Sequence, residues 1–172
     1  MRGGNVAAAS GPESGPSSLR FRGFRAVDRS VVLAQVSDLL AAGASRLTPA
    51  EVLTVVCEAA ATHLSLVNVV FFKRLAGQSR VLSWSAPGVS TASRMIAREQ
   101  TWSRAAELVE DGLPSAGRDD SGLVVCASLW DEALALSALL RVESLRTLDR
   151  HDRALVDELL RQMLCLPGDG QA

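Results

Sequence analysis

Between residues 27 and 40, apolar side chains recur every three or four positions: Val27, Val31, Val32, Val36, Leu39 and Leu40. Asp28, Arg29, Gln35 and Asp38 occupy much of the rest. That spacing predicts an amphipathic helix, and Gly43 suits its C-terminus. A second helix is predicted from capping chemistry. Thr48 can accept from the backbone, Pro49 stands where a missing N–H is tolerated, and Glu51 follows the cap by three residues. This is a capping box, and Val52, Leu53, Val56, Ala59 and Ala60 continue it as an apolar stripe.

The period then shortens. "LVNVVFFKR", residues 66–74, is β-branched and aromatic and predicts a strand. Gly77 marks a turn, and "RVLSWSA", residues 80–86, predicts a partner strand closed by Pro87 and Gly88. Leu82, Trp84 and Ala86 share one face of it; Val81, Ser83 and Ser85 share the other. "STASRMIAREQTWSRAAELVEDG" reads as two short helices. Ser90 or Thr91 caps the first, and Thr101 caps the second, which turns Trp102, Ala105, Ala106 and Val109 inward. Gly112 and Pro114 end it, and a polar loop comes next.

"LVVCASLW", residues 123–130, predicts a buried strand. Asp131 and Glu132 make a turn, and "ALALSALLRVE", residues 133–143, predicts its antiparallel partner. Alanine and leucine also favour helix, so the strand reading rests on the next segment of the chain. "SLRTL" connects to a helix capped by Asp149, with Asp152 at the third position. Leu155, Val156, Leu159, Leu160 and Met163 form its stripe.

Length and composition narrow the class. The 172 residues, 48% hydrophobic and 22% charged, suit one globular domain with tails. Residues 1–25 form a Gly/Ser/Pro-rich tail, expected to be disordered, that ends in the basic arm "LRFRGFR". That arm can touch nucleic acid or a partner, or else is a mobile arm or an extension of the first helix. Residues 26–166 make the domain, and residues 167–172 a second disordered tail. A net charge of −1 gives no general attraction to nucleic acid or anionic lipid. Three widely spaced cysteines without a CxxC argue for a reducing compartment. The N-terminus lacks the apolar core of a signal peptide, and no apolar run approaches the ~20 residues of a membrane helix. Together these place the expected location in the cytoplasm, without a membrane partner.

Candidate chemistry is sparse. His63 and His151 each lack a partner at ligand spacing, although His63 is the one histidine to weigh as a haem or metal ligand. Cys126 falls in a strand, where burial keeps a thiol protonated; a redox-sensing thiol is the alternative. The pair Asp119–Asp120 lies in a Gly/Ser loop. No phosphate loop, GxGxxG or GxSxG is present. No catalytic residue, metal ligand or cofactor is assigned.

The element order and the closing run "ALALSALLRVESLRTLDRHDRALVDELL" resemble a GAF domain. Leu148, Asp149 and Asp152 stand where that family leads into its last helix, with Leu155 and Val156 as the packing pair, and "VVCASLW" resembles the preceding strand. The family's cyclic-nucleotide signature and bilin-attachment cysteine are missing. The resemblance implies an α+β fold: a central antiparallel sheet, N- and C-terminal helices on one face, and short helices and loops roofing the other. It implies a non-catalytic sensory or regulatory module that binds a small ligand or a signalling partner and acts through its terminal helices. The alternative is a ligand-free dimerisation or interaction scaffold of the same fold; a diverged redox enzyme is a third. In that arrangement Trp84 and Trp102 line the roofed pocket, with Arg94 or Arg98 offering a fork to a carboxylate or phosphate, or the tryptophans simply fill a shrunken pocket. Val32, Val36 and Leu39 of the first helix and Leu155 and Leu159 of the last are the candidate contacts of a homodimer or partner, unless the core claims them.

Overall fold

The computed structural model describes residues 17–43, 46–111, 122–133 and 135–164. The polar loop's Asp119 and Asp120, residues 1–16, and Cys165 with the C-terminal tail lie outside them. The architecture is α+β, a four-stranded antiparallel sheet with four helices. The chain runs α1 (Ser17–Gly43), α2 (Pro49–Leu64), β1 (Leu66–Leu75), β2 (Gln78–Ser85), α3 (Thr91–Asp111), β3 (Val124–Trp130), β4 (Leu136–Ser144) and α4 (Arg150–Leu164). Among the described residues, no helix is long and apolar enough to cross a membrane.

The sheet order is β2-β1-β4-β3. β1 and β2 form the expected hairpin, with Gly77 in the positive-φ conformation that its turn demands. β4 is the strand expected within residues 133–143, and it pairs antiparallel with both β3 and β1. Leucine and alanine are extended there because neighbours satisfy the backbone on both sides and cover both faces. Tertiary context therefore overrides their helical preference. The β3–β4 turn is closed by Asp131, whose Oδ1 accepts from the N–H groups of Ala133 and Ala135, each at 2.9 Å.

Three helices occupy one side of the sheet. α2 packs on β1 and β2, α4 packs on β3 and β4, and α1 rests on α2 and α4. Between these helices and the sheet lies the larger core, which includes Val36, Leu53, Leu64, Phe71, Leu140, Leu155 and Leu160. A gap within it, lined by Leu53, Ala60, Val69, Leu140 and Leu159 among others, is about 10 Å³ and purely apolar, too small and too apolar to hold an ordered water. The helix starts follow the expected chemistry. Thr48 accepts from Glu51 N at 3.3 Å while Glu51 Oε2 accepts from Thr48 N at 2.7 Å. Hydrogen bonds to the carboxyl from the Thr48 backbone N–H and then from the Thr48 side chain hold Glu51 below its ordinary range. Asp149 caps α4, accepting from His151 and Asp152 N–H, each at 2.9 Å.

The arm at residues 19–25 extends the first helix, one of its expected readings, because α1 begins at Ser17 and includes it. Two expectations are corrected. The segment after β2 is one helix of 21 residues, not two. Ser90 does cap it, accepting from Ser93 N. Thr101 lies fully buried inside, its hydroxyl donating to Ala97 O at 2.7 Å. A threonine bonded to the carbonyl four residues back has no need to break the helix to satisfy its hydroxyl. The inward stripe is accordingly Ala97, Thr101, Ala105 and Leu108, while Trp102, Ala106 and Val109 face outward. The candidate dimer contacts also divide. Val32, Val36, Leu155 and Leu159 are buried in the molecule's own core, and of the five only Leu39 is exposed.

The loop between β4 and α4 is held by a buried carboxylate. Asp152 is 2% exposed. Arg146 donates to both of its oxygens, at 2.7 and 3.0 Å, and Asp149 N–H donates to Oδ2 at 2.9 Å. The same guanidinium donates to His63 O at the end of α2. Its pairing with Asp152 raises the Arg146 pKa further. Replacing Asp152 with alanine leaves Arg146 and a helix N-terminus without this acceptor. The expected cost is about 2–4 kcal/mol, seen as a Tm lowered by about 5–15 °C in thermal denaturation. Arg161→Ala, which breaks an exposed pair with Glu158, is expected to shift Tm by about 1 °C or less. Equal effects from the two variants would show that the buried pair is no anchor.

Candidate functional site

Strand alternation sorts the side chains of the sheet. Val69 and Phe71 of β1 belong to the core under α2 and α4. Asn68, Val70, Phe72 and Arg74 therefore face α3. Across the β1–β2 register, Asn68 meets Ser85, Val70 meets Ser83, Phe72 meets Val81 and Arg74 meets Ser79. β4 contributes Leu139, Arg141 and Glu143 to the same face, opposite Phe72, Val70 and Asn68.

That face has a polar end and an apolar end. At the polar end Asn68 is 1% exposed and fully engaged. Its amide donates to Ser93 Oγ at 3.0 Å and Glu143 Oε2 at 2.8 Å, and its carbonyl accepts from Ser85 at 2.6 Å. Arg141 donates to Glu143 and to Gln100 of α3. Arg98 donates to Ser83 at 3.1 Å. These groups satisfy one another and fill the space beneath the N-terminal half of α3. At the apolar end Phe72, Ala105, Leu108, Leu136 and Leu139 form a small second core, with Val81, Cys126 and Trp130 against it.

Beyond this second core the cover is incomplete. An open cleft of about 250 Å³ lies between the C-terminal half of α3 and the β1–β2 hairpin. Phe72, Arg74, Ser79, Trp102, Ala106 and Val109 line it, with Ala105 at its base. The Trp102 ring meets Phe72 edge to face, with centroids 5.4 Å apart and planes at 77°. It is nevertheless 45% exposed, a large apolar surface left to water.

The four residues expected to share a pocket are split between the two faces. Trp84 is directly opposite Val69 and packs against the core under α2 and α4. It fills that core, with the thickness of the sheet between it and Trp102. Arg94 is exposed and Arg98 is engaged with Ser83; only Trp102 lines the cleft. Period-two reasoning applied to β1 as well as β2 would have separated the tryptophans. The polar cluster also carried a signal, since Asn68 and Arg141 interrupt otherwise apolar strands. Arg74 and Ser79 carried none, because their place depends on where α3 lies.

The histidines and the described cysteines do not line the cleft. His63 Nε2 is 3.9 Å from Asp152 Oδ1, and His151 is exposed in the first turn of α4. Burial pushes the Cys57 thiol far above its ordinary range, which leaves it protonated and unreactive. Cys126 is half-buried on the α3 face. Among the described residues, no three His, Cys, Asp or Glu side chains converge as a metal site.

No protein-family model matches the chain, and no curated protein matches it.

Asn68→Leu keeps the volume of the polar cluster but removes the partner of Ser85, Ser93 and Glu143. The expected cost is about 1–3 kcal/mol, read as a lower denaturant midpoint with an unchanged slope. A neutral substitution would mean that water already serves these groups.

Proposed function

We propose that the chain is a GAF-like, non-catalytic regulatory module that responds to a small ligand held in the cleft beside Trp102. The closing sequence supports the family reading: strand β4, a short loop, and a last helix led in through Leu148, Asp149 and Asp152. The observation that carries the function is the contrast between the two sides of the sheet. Among the described residues, the gap on the α1–α2–α4 side is only about 10 Å³, whereas the α3 side opens into a cleft with an aromatic wall and a cationic rim. A mostly apolar recess with a few polar groups is how small-molecule sites are built.

A ligand here acts on the chain by favouring one arrangement of α3 over another, and only to the extent that it binds the two differently. The output is passed to a signalling partner in the cytoplasm. Among the described residues, no group near the cleft is arranged as a nucleophile with its base, so the module binds without turning its ligand over.

A second reading, a self-associating scaffold, is favoured by the exposed apolar row on α3. Met95 is 57% exposed and Ile96 52%, and Trp102 and Val109 extend the row. Arg94 and Arg98 lie toward one end of the helix and Glu107 and Glu110 toward the other, with Glu99 between. A second copy laid antiparallel therefore meets mainly opposite charge.

Two measurements separate the readings. In a thermal-shift screen of small metabolites, a ligand at a hundred times its Kd is expected to add about 2.7 kcal/mol of stability, or roughly 5–10 °C in Tm. A broad panel that leaves Tm unmoved counts against the ligand reading. Light scattering across a dilution series tests the scaffold. That reading requires a dimer which Met95→Glu converts to a folded monomer, and a wild-type protein that is monomeric throughout removes it.

A further inference from the structure

The cleft has a chemistry that narrows its ligand. Phe72, Trp102, Ala106 and Val109 give it apolar walls of aromatic character. A dry apolar cavity of about 150 Å³ accommodates one benzene ring, so about 250 Å³ suits a fused or linked pair of rings lying against the indole. At the rim, Arg74 is exposed, and among the described residues no carboxylate or other acceptor engages its guanidinium. Its neighbours do not share this state: Arg98 is bonded to Ser83, and Arg141 to Glu143 and Gln100. The Trp102 indole N–H likewise meets no acceptor among the described residues. Ser79 adds a hydroxyl directly across from Arg74.

We infer that the cleft takes an amphiphilic organic anion, with a flat aromatic body against Trp102 and Phe72 and a single carboxylate or sulfonate on Arg74. This rests on the reading of the chain as a ligand-responsive module and names the class of ligand. A guanidinium matches the planar two-oxygen face of such a head group. A polyphosphate does not fit, because there is one cation and no glycine-rich loop. The cleft also faces the C-terminal half of α3, where the helix dipole repels additional negative charge. A neutral aromatic would leave Arg74 without a partner and gain only the apolar contact.

The test uses the full chain and three probes: 8-anilinonaphthalene-1-sulfonate, its uncharged analogue N-phenyl-1-naphthylamine, and inorganic phosphate. The aromatic sulfonate is expected to bind saturably, with one site per chain and quenching of tryptophan fluorescence. The uncharged analogue should bind at least about tenfold more weakly, the scale of one charge-assisted bond, and phosphate should not compete at millimolar concentration. Arg74→Gln should bring the sulfonate down to the level of the uncharged analogue without altering the latter. Trp102→Ala should weaken both, with circular dichroism and Tm confirming that each variant remains folded. Equal affinity for the charged and uncharged probes, no loss on Arg74→Gln, displacement by phosphate, or no saturable binding would each overturn the inference. A metabolite that still raises Tm when both substitutions are combined would sink this site and its ligand class while leaving the ligand-responsive reading standing elsewhere on the chain.

Discussion

Strand β4 is the constraint from which the fold is assembled. Its backbone between Leu136 and Ser144 pairs with β1 on one side and β3 on the other. Ala138, Leu140 and Val142 face the α2–α4 core, and Leu139 and Arg141 face α3, all of them buried. A segment of this composition has good helical propensity in isolation, and only simultaneous pairing and two-sided burial hold it extended. If β4 coiled, β3 would lose the strand it pairs with and both cores would lose their shared floor. At its exit the buried Asp152, paired with the half-buried Arg146, holds the turn into α4, so the strand and its covering helix are set by adjacent stretches of sequence.

The two faces of the sheet meet this constraint differently. On the α2–α4 side, leucine, valine and alanine are buried together, and the favourable term is removal of apolar area from water. On the other side, among the described residues, α3 is the one helix, and it packs on β1, β4 and β2. The chain fills one end with mutually satisfied polar groups around Asn68 and Arg141. At the other end it leaves the cleft. Buried polar groups fix orientation more than they add stability, since each bond replaces one made with water. Asn68, Gln100 and Arg141 thus set where α3 lies, while Ala105 and Leu108 provide the apolar contact.

Elements with a strong local cause were legible in the sequence. The α2 start was readable because Thr48, Pro49 and Glu51 act within one turn, and the β1–β2 hairpin because its period is two. The closing strand and helix were readable because the capping pair Asp149 and Asp152 marks their boundary. What failed depended on distance in space. Thr101 looked like a cap because threonine usually competes with helices, and only burial against the sheet shows its hydroxyl turned back to Ala97. Trp84 and Trp102 share one pocket only in the arrangement that the family resemblance implies. Their separation follows from Val69 and Phe72 pointing to opposite sides of β1. The α4 stripe is buried throughout, whereas on α1 Val32, Val36 and Leu40 are buried and Val31 and Leu39 are exposed; a stripe does not say whether the partner is another molecule or the protein's own core. Here Val36 and Leu155, each 0% exposed, answer that.

The same anatomy limits how a bound ligand can be felt. A molecule against Phe72 lies one strand-thickness from Phe71, which is locked into the opposite core, so β1 itself has little room to respond. Displacement is cheaper in α3, whose two halves are held unequally. Ser93, Arg98 and Gln100 tie the N-terminal half to strands by directional bonds that break if it slides. The C-terminal half rests on Ala105 and Leu108, which tolerate small tilts because apolar contact has no preferred direction. Filling the cleft therefore bears on the half of α3 that is free to pivot about its bonded end. Val109, on the outer side of that half, moves with it, which makes the C-terminal half of α3 the surface on which a change in the cleft would be read.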